Sequence, residues 1–157
     1  YDGALFVETI VRSTPVDPAP MRRLVTTEAE WRALHAQLFQ ANESALPGTP
    51  PLDLGGIDWA RETVYVTYTG EPSQCRGVGL HSAYVTDERV LLRQSEYTYQ
   101  TAALDGEDEP AAPIERPWGV FRVPRLGAGG ALVVERDRQG LILGPPMWTE
   151  LARFTLE

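Results

Sequence analysis

Residues 115–125 read ERPWGVFRVPR, with three arginines, two prolines, a tryptophan and a phenylalanine in eleven positions. In a chain of formal charge −8, the stretch reads either as a basic binding stripe or as the inside of a sheet. With a period of two, Pro117, Gly119, Phe121 and Val123 fall on one side, and Arg116, Trp118, Val120 and Arg122 on the other. The first row is the expected core face. Neither proline can donate a ladder hydrogen bond, so the pair marks the ends of a strand or an edge position. The stretch is therefore a sheet element before it is anything else. Its functional content narrows to Arg116, Trp118 and Arg122, whose shared face is expected either to lie under a helix and loop or to receive a partner.

The neighbouring segments extend the sheet. ETVYVTYT at 62–69 sets Val64, Val66 and Tyr68 against Tyr65, Thr67 and Thr69, the pattern of a half-buried strand rich in β-branched and aromatic residues. GVGLHSAYVT at 77–86 and RVLLRQSEYTYQ at 89–100 form a hairpin about Asp87 and Glu88. The alternation slips near His81 and Ser82, which predicts a bulge there. LFVETIV at 5–11 and MRRLVTT at 21–27 supply further strands, and ALVVE and LIL a hairpin around residues 136–140. The tail MWTELARF spaces Trp148, Leu151 and Phe154 like a short amphipathic helix, with an edge strand as the alternative.

One helix is expected over residues 28–40. Thr27 and Glu30 form a capping box, and Trp31, Leu34, Leu38 and Phe39 make an apolar stripe with His35 at its margin. Residues 41–56 and 101–113 are long loops. The 157 residues fit a single domain, 1–157. The fold class is α+β, mainly β: antiparallel sheets or a half-open barrel, one helix, and a short C-terminal helix. Sequential strands without intervening helices favour antiparallel pairing.

Charge and motifs bound the chemistry. The net charge of −8 repels a phosphate backbone over most of the surface, so nucleic acid is a poor partner. No apolar run approaches the ~18 residues of a spanning helix. Asp105, Glu107, Asp108 and Glu109 crowd one short run. They lack the ligand spacing of an EF-hand loop, and a solvated loop is the simpler reading than a calcium or small-ligand module. Cys75 is the single cysteine. A Cys-dependent hydrolase would pair it with His81 or His35, but residues six apart on one strand lie about 20 Å apart at ~3.3 Å per residue. No nucleophile elbow, zinc-binding helix motif or phosphate loop is present. GAGG at 127–130 reads as a hinge or turn. No catalytic set and no cofactor are expected.

Several motifs together resemble the C-terminal domain of the PrcB protease-complex subunit family. The matching pieces are the helix bearing Trp31; Gly56, Ile57, Asp58 and Trp59 at the close of the long loop; ETVYVTYTG ending in Gly70; the strand entry at Gly77 and Gly79; and ERPWGVFRVPR as the closing strand. The likeness covers about residues 25–125. It departs at Cys75 to Leu80, where the family has a small-Gly-Gly-aromatic entry, and in the acidic segment 104–113. The resemblance implies an exported, non-catalytic subunit of the cell envelope or exterior. It further implies a lipid anchor on a missing N-terminus and association with a protein partner, a secreted protease.

Overall fold

The computed structural model describes residues 7–11, 20–39, 56–68, 75–98, 117–137 and 145–156, with 7–11, 37–39, 75–77, 96–98 and 117–118 described by backbone alone. In chain order these form β1 (Val7–Val11), β2 (Met21–Val25), α1 (Glu28–Phe39), β3 (Glu62–Tyr68), β4 (Cys75–Val85), β5 (Arg89–Thr98), β6 (Pro117–Pro124), β7 (Ala131–Asp137) and β8 (Trp148–Thr155). The class is α+β, mainly β. Two four-stranded sheets run in the orders β1-β6-β3-β2 and β4-β5-β7-β8, and neither closes into a barrel.

The strand built from ERPWGVFRVPR organises the first sheet. β6 lies between β1 and β3, antiparallel to both. Of the two positions the prolines allowed, strand ends is the one observed: β6 is central, and Pro117 and Pro124 stand at its two ends, opposite Val11 and Glu62. Its neighbour β3 is likewise not half-buried. Val64, Val66 and Tyr68 pack with Val25, Val120, Trp31 and Leu34 beneath the helix. Tyr65 turns the other way, toward Phe121, Val123, Val78, Val90, Leu92, Leu132 and Val134. Both faces of the first sheet are therefore covered, by α1 on one side and by the second sheet on the other. At roughly 1.5–3 kcal/mol for each large apolar side chain buried, these two clusters hold the layers together.

Local chemistry places the helix. The Glu30 amide donates to Thr27 Oγ1 at 3.3 Å, and the Trp31 amide donates to the Thr27 carbonyl at 3.1 Å. The reciprocal arm of the capping box falls one residue early, with the Thr26 amide donating to Glu30 Oε2 at 3.1 Å. Trp31 and Leu34 are buried, and the His35 ring meets Trp31 edge-on at 5.6 Å.

The second sheet holds two corrections. β5 and β7 pair in parallel, Arg89 opposite Ala131 through Gln94 opposite Arg136, where only antiparallel pairing was expected. The tail is not the short helix but the edge strand that stood as its alternative, β8, antiparallel to β7; the LIL segment lies outside the described residues. Parallel pairing follows from the route of the chain. After β5 the chain contributes β6 to the first sheet, then crosses back through residues 125–130 to lay β7 beside β5. Arg125 anchors that crossing, donating through Nη1 to the carbonyls of Thr26 at 3.0 Å and Trp59 at 2.7 Å. Gly129, at φ 83°, makes the turn, and its amide donates to the Leu156 carbonyl at 2.8 Å.

Candidate binding face

The outward face of the second sheet carries the most concentrated chemistry among the described residues. Val90, Leu92, Leu132 and Val134 point inward to the shared core. The residues alternating with them make a row across the sheet: Ser82 opposite Arg93, Arg93 opposite Glu135, and Glu135 opposite Glu150. Arg93 Nε donates to Glu135 Oε2 at 2.9 Å, and the two side chains keep 27% and 20% of their exposure. That bond, with a further hydrogen bond to Tyr84, raises the guanidinium pKa above its ordinary value.

Both edge strands are bulged at the level of this pair. On β4, Leu80 pairs with Gln94 and Ser82 with Arg93, so His81 is the extra residue. On β8, Ala152 pairs with Val134 and Glu150 with Glu135, so Leu151 is extra. A bulge re-aims the side chains beside it. Here the result is that His81 and Trp148, from opposite edges of the sheet, meet with ring centroids 4.8 Å apart and planes 62° apart. The bulge on β8 also puts Glu150 and Arg153 on one side, paired at 2.6 Å, which lowers the carboxyl pKa and raises that of the guanidinium.

Arg93 lies inside an aromatic clamp. Its guanidinium carbon is 5.4 Å from the Tyr84 ring centroid and 5.1 Å from that of Trp148. Tyr84 remains 55% exposed and Met147, next to Trp148, 54%. Asp137 fixes the entry to β8 by accepting the Met147 amide at 2.9 Å. Such a surface can stack on a planar or apolar group and donate charge-assisted hydrogen bonds beside it.

The residues singled out from sequence fall elsewhere. Arg122 sits on the helix-side face of β6, ion-paired with Glu62, with 21% and 16% of their side chains exposed. Glu62 Oε2 also accepts the Asp58 amide at 3.0 Å, tying the turn before β3 to the same pair. Val120, on that face, is fully buried under the helix. Trp118 pairs with Tyr68 and Ile10 along the backbone, and its side chain lies outside the described residues, as does Arg116. Asp105, Glu107, Asp108 and Glu109 also lie outside them. Among the described residues no three His, Cys, Asp or Glu side chains converge as a metal site. Cys75 opens β4 opposite Thr98, and only its backbone is described. His81, on the same strand, is engaged with Trp148 and lies 3.3 Å from the Ser82 hydroxyl. No described helix is long and apolar enough to cross a membrane.

Arg93, Tyr84, Glu135 and Trp148 as a group were not foreseen. One signal in the sequence bears on two of them. RVLLRQ and ALVVER align without a gap, so that Arg93 and Glu135 interrupt their apolar runs at the same offset. In parallel register such equal offsets bring the opposite charges side by side, as β5 and β7 do. Comparison with known proteins finds no matching family model, no matching curated protein and no matching solved structure.

Proposed function

We propose that this chain is a non-enzymatic interaction domain of an exported protein, and that the outward face of its second sheet docks a protein partner. The observation that carries the reading is the Arg93 clamp, bracketed by a bulge on each edge strand, with Tyr84 and Met147 exposed beside it. Interfaces concentrate aromatic residues and arginine near their centres. The resemblance to the PrcB C-terminal domain supports a secreted protease as the partner and the cell envelope or exterior as the location. The test uses the chain as bait in extract and medium from its native source, beside Tyr84→Ala. A stoichiometric protein that is retained by the parent and lost by the variant supports the reading. Recovery of the parent alone after crosslinking, or equal retention by both, overturns it.

A further inference from the structure

The two sheets meet along one pair of edge strands, where β1 contacts β4. At the opposite edge of the second sheet, Leu151, Ala152 and Phe154 of β8 face the inter-sheet core but stay half-buried, whereas Leu132 and Val134 beside them on β7 are buried. The core is thus left open along β8, the last strand of its sheet among the described residues. The Leu156 amide donates to the Gly130 carbonyl at 2.9 Å and its carbonyl accepts the Gly129 amide at 2.8 Å, so Leu156 turns its backbone toward the β7 side. By alternation Thr155 and Arg153 turn theirs to the outer edge, and beyond the residue inserted at Leu151, Glu150 and Trp148 do the same.

We infer that two copies of this chain pair through β8, antiparallel about a twofold axis between Leu151 and Ala152. In that register Trp148 stands opposite Thr155 of the second copy, Thr149 opposite Phe154, Glu150 opposite Arg153, and Leu151 opposite Ala152. The strand is its own complement in three respects. The residues whose backbone groups reach the outer edge, 148, 150, 153 and 155, oppose one another and can close a ladder. Glu150 and Arg153, paired at 2.6 Å within one chain and 46% and 51% exposed, join with their copies in a ring of four alternating charges. Leu151, Ala152 and Phe154 of each copy extend the open core across the axis. The inserted residue blunts β8 toward a straight strand, whose period falls out of step at Leu151. A second copy carries the same insertion at the same level, so the two steps match. The axis runs perpendicular to the sheet, and the outward faces of the two copies come to lie side by side on one surface. The inference stands whether or not that face docks a partner.

The test is sedimentation equilibrium of the full chain over a range of concentrations at low salt, where charge pairs are least screened. It is repeated with Glu150→Arg, with Arg153→Glu, and with an equal mixture of the two variants. The parent should show a monomer–dimer equilibrium. Each reversal alone sets like charges opposite each other at both symmetry-related positions and should raise the dimer Kd by about ten-fold or more. In the mixture one copy brings two cations to the axis and the other two anions, so association should return toward the parent's level. Either reversal breaks the pair within a chain, and mixing cannot mend that loss, so rescue reports pairing between chains. Both positions are half-exposed, and the variants should keep the far-ultraviolet dichroism of the parent. The chain carrying both reversals together should dimerise as the parent does. A parent that stays monomeric at its highest soluble concentration, or a mixture no tighter than its components, overturns the inference. So does a dimer that neither reversal weakens, which would place the second copy on another surface.

Discussion

At the scale of single residues, Gly119 and Arg122 show how β6 serves two faces at once. A Cβ on Gly119 would stand 2.7 Å from Phe121 Cε2, 2.9 Å from Thr67 Cγ2 and 3.1 Å from Val78 Cβ. All three neighbours are buried, so none can give way into solvent. Gly119→Ala should therefore destabilise by about 1–3 kcal/mol through overpacking, seen as a lower urea midpoint at unchanged slope. Arg122 poses the opposite problem, because its charge is needed where it is. With Glu62 mostly buried beside it, Arg122→Met should cost about 2–4 kcal/mol, and Arg122→Met with Glu62→Leu should recover a good part of that loss. A double variant no more stable than the single one would mean that the pair is not the source of the cost. Arg122 was legible in the sequence as a residue on the second face of the strand. Its partner was not, because Glu62 is sixty positions away and only the pairing of β3 with β6 brings the two together.

At the scale of elements, what was legible depended on whether period and capping were left undisturbed. The helix was, because Thr27 and Glu30 act within one turn of each other. The β4–β5 hairpin was too: the Thr86 amide donates to the Arg89 carbonyl at 2.8 Å and the Arg89 amide to Thr86 Oγ1 at 3.0 Å, closing the turn over Asp87 and Glu88. β8 misled for a physical reason. The bulge at Leu151 inserts one residue, so Leu151, Ala152 and Phe154 all reach the inter-sheet core, and apolar positions three apart imitate a helix. The same bulge and the Glu150–Arg153 pair blunt β8 as an outer strand, as Arg22 and Arg23 do for β2. The capping arm of α1 makes a prediction in pH. The Thr26 amide, first among several hydrogen bonds, holds the Glu30 carboxyl below its ordinary range. A depressed carboxylate contributes stability above its unfolded pKa and loses it as the pH falls through the folded value. Glu30→Gln should therefore lower Tm at neutral pH and flatten the fall of Tm below about pH 4.5, near the ordinary glutamate value. Parallel Tm curves for the two proteins across that window would refute the coupling.

At the scale of the whole molecule, the two clusters are separate in contact but joined through two strands. β3 sends Val64, Val66 and Tyr68 to the helix side and Tyr65 to the inter-sheet side, and β6 sends Val120 one way and Phe121 and Val123 the other. Neither layer can lose its packing without exposing the back of strands that the other layer needs. The second sheet is bound in further, since Tyr65 reaches across to Phe154 of β8 at 5.9 Å and the crossing at 125–130 is hydrogen-bonded to both sheets. The described layers should therefore unfold as one cooperative unit. Val66→Ala on the helix side and Leu92→Ala on the inter-sheet side should each cost about 2–4 kcal/mol. In both variants far-ultraviolet dichroism and tryptophan fluorescence should report coincident transitions. A helix-side variant in which fluorescence falls ahead of dichroism would show that α1 detaches from a surviving pair of sheets. The binding face would then rest on a scaffold of two sheets alone. Coincidence instead ties the geometry of the Arg93 clamp to the stability of the whole fold, so that a substitution beneath the helix weakens docking only by lowering the folded fraction and leaves the affinity of folded molecules unchanged.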